Sequence, residues 1–73
     1  MYYVYVIKFK RNNQFYIGYT KDLRQRVKQH QKEGALTLAY YEAYQLEKLA
    51  RTREKKLKYY GSAWRGLKKR LIA

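Results

Sequence analysis

The chain has no cysteine and no proline, one histidine, four glycines and only five acidic residues among 73. Without cysteine there are no disulfide staples and no cysteine-built zinc site, and a single histidine cannot replace them. The lack of cysteine is compatible with a reducing cytosol. No proline-rich stretch, repeat, low-complexity segment or linker interrupts the sequence. Residues 1–73 are therefore expected to form a single domain. No apolar run approaches the roughly 20 residues of a membrane span, and Met1 leads straight into a strand pattern with no signal-peptide core. The expectation is a soluble, cytoplasmic protein with no membrane association.

Aromatics and positive charge fill the space these absences leave. A chain this short buries only about 60% of the surface its unfolded form exposes, so its core is marginal. That core must draw on aliphatics together with ten tyrosines, two phenylalanines and Trp64. Eighteen Lys and Arg against five Asp and Glu give a formal charge of +13. Residues 1–43 hold eight basic and three acidic side chains, and residues 44–73 hold ten and two, so the charge is not confined to a tail. Such a footprint suits a polyanion. A membrane surface would attract it too, but the amphipathic anchor expected of a surface helix is missing. Nucleic acid is the expected partner, with no small-molecule cofactor.

Residues 2–9 alternate Tyr3, Tyr5, Ile7, Phe9 against Tyr2, Val4, Val6, Lys8, which is a strand period with one aromatic face. Arg11 to Gln14 form a polar turn and Phe15 to Tyr19 a second strand, together a hairpin. Thr20 is placed as an N-cap, with Asp22 in the first turn, for a helix over about 21–32 that Gly34 ends. Leu38 to Tyr44 read as a third strand. Leu46, Leu49, Ala50, Arg53 and Leu57 outline a second helix that Gly61 terminates. Ser62 caps a last helix burying Trp64, Leu67 and Leu71. The order β-β-α-β-α-α predicts an α+β fold, a three-stranded antiparallel sheet flanked by helices. An RNA-recognition motif, whose helix follows its first strand directly, is excluded by that order.

Tyr16-Ile17-Gly18-Tyr19-Thr20, with Tyr5 on the preceding strand and Arg26 and His30 on the following helix, exceeds what packing requires. These residues resemble the GIY-YIG nuclease family, in its small single-domain type similar to the N-terminal domain of an excision-repair subunit. Tyr3-Val4-Tyr5 stands where the family has Gly-Ile-Tyr, and Tyr16-Ile17-Gly18 matches the second half of the motif unchanged. Arg51 to Lys58 is similar to the later segment that supplies the family's metal-binding glutamate, so the resemblance spans nearly the whole chain. The departures are Tyr3-Val4 for Gly-Ile, Tyr19 where some members carry lysine, no asparagine after Asn13, and a short connection from His30 to Leu38.

The resemblance implies a metal-dependent endonuclease with a site of Tyr5, Tyr16, Arg26, His30 and Glu54. Phosphodiester hydrolysis needs an activated water, positive charge on the developing phosphorane and help for the leaving oxygen. Asp22, Glu33 and Glu47 are too dispersed for a two-metal cage. One Mg²⁺ or Mn²⁺ held principally by Glu54 is expected, since Mg²⁺ keeps most of its waters. By spacing alone, Glu54 is equally an i,i+4 surface partner of Lys58. Arg26 could hold a phosphate oxygen in its fork of donors, or be one solvated arginine beside Arg24 and Lys28. His30, four residues on, shares its sector with Leu23 and Val27, so it is a proton shuttle or a satisfied half-buried histidine. Tyr5 and Tyr16 are core rings or site residues. The family resemblance makes Tyr16 a candidate for activating water, although an ordinary phenol ionises only near about 10 and needs neighbouring cations such as Arg26.

Gly18 is expected to let the backbone approach the phosphate. Tyr19, Lys21, Arg24, Arg53, Lys58 and Trp64 are the expected nucleic-acid contacts, the lysines and arginines on phosphates and the rings on bases. Without an appended recognition domain the cutting would have low sequence specificity, with flap, nicked or branched DNA preferred. The alternative is a non-catalytic basic nucleic-acid-binding module on the same fold.

Overall fold

The alternating strand Tyr2–Phe9 (β1) occupies the centre of the sheet, because both of its faces carry residues that must be covered. It pairs antiparallel with Phe15–Thr20 (β2) on one side and Leu36–Tyr44 (β3) on the other, in the order β2-β1-β3. Three helices complete the α+β fold: Leu23–Gln31 (α1), Glu47–Tyr59 (α2) and Gly61–Ile72 (α3), giving β-β-α-β-α-α. These assignments come from a computed structural model that describes residues 1–72. No helix among the described residues is long and apolar enough to cross a membrane.

The two faces of β1 enter different cores. Val4 and Val6 pack with Ala50, Leu57 and Leu67 beneath α2 and α3. Tyr5, Ile7 and Phe9 pack with Leu23, Leu36 and Leu38 on the α1 side. The pleat sends alternate residues to opposite faces, so one strand can serve both layers. Pairing with β3 shifts register between Val6 and Ile7, where Tyr40 and Leu38 are the successive partners and Ala39 is the extra residue. This bulge moves the alternation in β3 by one residue. Leu36 and Leu38 therefore share the α1 face with Tyr41, while Tyr40, Glu42 and Tyr44 turn to α2 and α3.

Several boundaries differ from the sequence reading. Asp22, not Thr20, caps α1: its carboxylate accepts from the Gln25 amide at 3.1 Å. Thr20 ends β2, and its hydroxyl accepts from the Asp22 amide and donates to the Asp22 carbonyl. Gly34 does follow α1, at φ 147°, and β3 begins at Leu36 rather than Leu38. Gly61 opens α3 and does not terminate α2, and Ser62 lies inside α3 rather than capping it. An extended Tyr60 (φ −114°, ψ 103°) supplies both functions, ending α2 and accepting from the Ala63 and Trp64 amides with its carbonyl. Leu46 and Leu49, expected on the buried stripe, are exposed. Leu46 stands at the N-cap, and Leu49 is turned about 100° round the helix from buried Ala50.

Candidate active site

The α1 face of the sheet collects the phenols and the histidine. Tyr5 projects from β1 across Gly18 of β2, its register partner, and a Cβ at Gly18 would overlap the Tyr5 ring. Glycine is needed here for space, whatever backbone angles it could adopt. Tyr16, two residues earlier on β2, places its ring 6.2 Å from that of Tyr5. His30 reaches down from α1 between them, its ring centroid 5.8 Å from Tyr5 and 4.9 Å from Tyr16.

A hydrogen-bonded line runs through the histidine. The Tyr5 hydroxyl lies 2.8 Å from His30 Nε2, and His30 Nδ1 lies 2.9 Å from the Glu33 carboxylate. An ionised carboxylate only accepts, so Nδ1 carries a proton and donates to Glu33. In the neutral imidazole Nε2 then accepts from the Tyr5 O–H, which fixes the tautomer. Arg11, reaching from the hairpin, donates to the Glu33 carbonyl at 2.6 Å and ties down the end of α1. The His30 side chain is only 12% exposed while Glu33 is 58% exposed, so the line leads from a buried phenol to solvent. Glu33 reads in the sequence as a helix-end acid. Its i,i+3 spacing from His30 is the only signal that could have singled it out.

Burial pushes the Tyr5 phenol well above its usual ionisation, and the neighbouring Tyr16 phenol adds to this. Arg26 pulls the other way without offsetting them, while Glu54 and Glu33 push up again. Tyr5 is thus a neutral hydroxyl, and the cation-assisted lowering available to a phenol in this site does not win at this position. Arg26 and Glu54 thus both act electrostatically on the Tyr5 phenol. Arg26 is exposed, one turn before His30 on α1. Glu54 comes from α2, its side chain 19% exposed and its carboxylate 3.0 Å from Lys58 Nζ. Lys58 also stands over the Tyr16 ring, 5.9 Å from the centroid. The i,i+4 pair that spacing allowed is therefore present, but on an acid more enclosed than a surface pair requires.

The expected nucleic-acid contacts separate into groups. Lys21 and Arg24 are exposed beside α1. Tyr19 turns to the opposite sheet face, stacked on Tyr2, its hydroxyl donating to Glu47 at 3.0 Å and Arg51 lying 4.5 Å above its ring. Hydrogen bonding from Tyr19 holds the Glu47 carboxyl below its usual range. Arg53 is half-buried and donates to both oxygens of Glu42, at 3.1 and 3.3 Å. Trp64 is half-buried and meets Phe15 edge-on at 5.3 Å. Lys8 and Lys68 approach the same Phe15 ring at 5.5 and 5.9 Å, adding two cations to the β2 edge that the sequence reading did not single out.

Glu42 also accepts from Tyr40 and Tyr44. Burial alone would raise its carboxyl, but the bonds from Tyr44, Tyr40 and Arg53 outweigh it and hold the carboxyl below its usual range. Burial and the bond to Glu42 push the Tyr44 phenol up to about 12. This cluster joins β3 to α2 one residue before Glu54, so it orients the helix that carries Glu54.

Comparison with known proteins bears on the fold and the family. No curated protein sequence matches the chain. The solution NMR structure of the UPF0213 protein BH0048 from Bacillus halodurans shares the fold, with a TM-score of 0.64 at 24% identity over 99% of this chain and 86% of that one. The model of the GIY-YIG catalytic domain matches residues 1–59, a span that takes in Tyr5, Tyr16, Gly18, Arg26, His30 and Glu54. The chain belongs to the GIY-YIG catalytic-domain family.

Proposed function

We propose that residues 1–73 act as one metal-dependent endonuclease domain that hydrolyses DNA phosphodiester bonds with low sequence specificity, preferring flap, nicked or branched DNA. The observation that carries this reading is the convergence of Tyr16, His30, Arg26 and Glu54, from three different elements, around the buried Tyr5 hydroxyl. Local packing needs no such meeting of phenols, imidazole, guanidinium and carboxylate. The net charge of +13 supports a polyanionic substrate.

Each residue has a role its position supports. Arg26, exposed and charged, holds a non-bridging phosphate oxygen and offsets charge as the phosphorane forms. Tyr16, open to solvent and beside His30, orients the attacking water and, when present as its phenolate, takes the water's proton to become the neutral phenol. Tyr5, neutral and hydrogen-bonded to His30, fixes the imidazole and leaves Tyr16 as the exposed phenol. Among the described residues no three His, Cys, Asp or Glu side chains gather into a metal-binding group. A single enclosed carboxylate fits an ion that keeps its waters and leans on substrate phosphate, so Glu54 would hold one Mg²⁺ or Mn²⁺. Such an ion supplies Lewis-acid stabilisation of the phosphate charge.

The test incubates wild type and Glu54→Ala with flap, nicked, branched and plain duplex DNA, with Mg²⁺, with Mn²⁺ and with chelator. Metal-dependent cutting should fall by about 10²–10³-fold or more in the variant. Binding should stay equal or tighten, because a negative charge is lost. A folded wild type that binds all four DNAs and cuts none would leave the binding module as the function.

A further inference from the structure

Helix α1 divides its side of the sheet in two. Arg26 and His30 face the β2 side, where Tyr16 lies. Arg24 and Lys28 face the other side, where α1 and β3 border a groove of about 680 Å³. Its floor is apolar, with Leu23 and Val27 from the helix and Leu38 from the strand. Tyr3 and Tyr41 stand at its sheet wall as an edge-to-face pair, ring centroids 6.1 Å apart, and Tyr41 is 53% exposed. Arg24 and Lys28 line it as well, Lys21 borders it with its ammonium 5.8 Å from the centroid of the Tyr2 ring, and none of the three makes an ion pair among the described residues. Asp22 is the one acid in the lining, and its carboxylate is engaged in capping α1.

We propose that this groove holds an unpaired DNA strand, with a base against Tyr41 and Tyr3 and its phosphates on Arg24 and Lys28. Charge complementarity calls for a polyanion, and the aromatic wall selects its form. Duplex DNA hides its base faces in the stack and presents phosphates, for which rings offer nothing. An unpaired strand exposes both phosphates and base faces, the combination that basic grooves with aromatic platforms bind. With paired DNA at the Tyr16 side and the unpaired arm across α1, the helix becomes the divider between duplex and overhang. The link to cutting rests on the nuclease reading; the binding itself does not.

The test is fluorescence anisotropy in chelator, comparing a blunt hairpin duplex with the same hairpin bearing a single-stranded overhang. Wild type should bind the overhang form about tenfold more tightly, the effect of roughly one stacked base. Tyr41→Ala should bring that ratio close to one, and Tyr41→Phe, which keeps the ring, should preserve it. Lys28→Glu, altered only at an exposed side chain, should weaken the overhang form more than the blunt form, and it decides the matter should Tyr41→Ala not fold. Equal wild-type affinity for the two forms, an unchanged ratio in Tyr41→Ala, or equal weakening of both forms by Lys28→Glu would overturn the groove. Cutting assays with metal separate the two readings. An overhang preference without cutting removes only the nuclease, and cutting without an overhang preference removes only the groove.

Discussion

On the face covered by α2 and α3, β1 contributes Val4 and Val6 to an aliphatic core closed by Ala50, Leu57 and Leu67. On the α1 face the same strand contributes Tyr5, Ile7 and Phe9, and α1 buries none of its own residues. Adjacent residues of one strand thus serve opposite ends. The first face is dry and closed by two helices, so stability resides there. The second is thinly covered and carries a phenol–imidazole–carboxylate line that opens to solvent, and it is where the proposed chemistry would take place. In a chain with so little core, polar groups gathered for a site must be placed where the main apolar layer does not depend on them.

The sharpest way to break the comparison is to strike the aliphatic face. Leu57→Ala should lower stability by about 2–5 kcal/mol, the range for truncating a buried leucine, and so unfold much of the protein. Chemical denaturation reads this. If the variant keeps its midpoint, the α2/α3 face is not the stabilising one. Next is the Glu42 cluster on the same face, where Glu42→Gln should cost about 1.5–3 kcal/mol at neutral pH. Because the folded carboxyl is held below its usual range, its contribution is present above the ordinary glutamate value of about 4.3. It is lost as pH falls through the lower folded value. Wild type and variant should therefore converge in stability on acidification, and a gap that stays constant with pH would show that the charge contributes nothing.

On the other face the effects should move from stability to chemistry. Gly18→Ala places a methyl group against the Tyr5 ring and should cost about 1–3 kcal/mol while displacing Tyr5 from His30. Histidine NMR would show the Nε2 partner lost. An unchanged imidazole spectrum would show that Tyr5 is not seated by Gly18. The smallest change is Glu33→Gln, which keeps the side chain's size and removes the charge from His30 Nδ1. Cutting should fall by only about fivefold, as expected for an exposed pair worth up to about 1 kcal/mol. The His30 Nδ1 proton resonance should move upfield, since the charged acceptor of its hydrogen bond is gone. A Glu33 that makes no bond to the imidazole would leave that resonance where it was.

Much of this was legible from local pattern. The two-residue period of Tyr2–Phe9 implied a strand with two different faces, and the β-β-α-β-α-α order followed from the spacing of apolar residues and turns. Tyr16-Ile17-Gly18, with Tyr5, Arg26 and His30, marked the family. Cap chemistry was less legible, because Thr20 and Asp22 are both good caps and the choice depends on where β2 releases its last hydrogen bond. Gly61 resembled a terminator, but Tyr60 broke the helix by taking an extended conformation that no composition signal announces. The bulge at Ala39 was invisible for a similar reason: register is a property of two strands together.

Sequence alone determined the elements, their order, the basic charge and the residue types available for a site, since these depend on period, composition and spacing within short stretches. Tertiary structure decided which of ten tyrosines became buried and neutral, which acid met His30, and which cations stayed unpaired beside an open groove. Those outcomes depend on distances between residues far apart in the chain. Tyr5 and His30 are 25 positions apart and meet at 2.8 Å only because β1 lies at the centre of the sheet and α1 crosses above it.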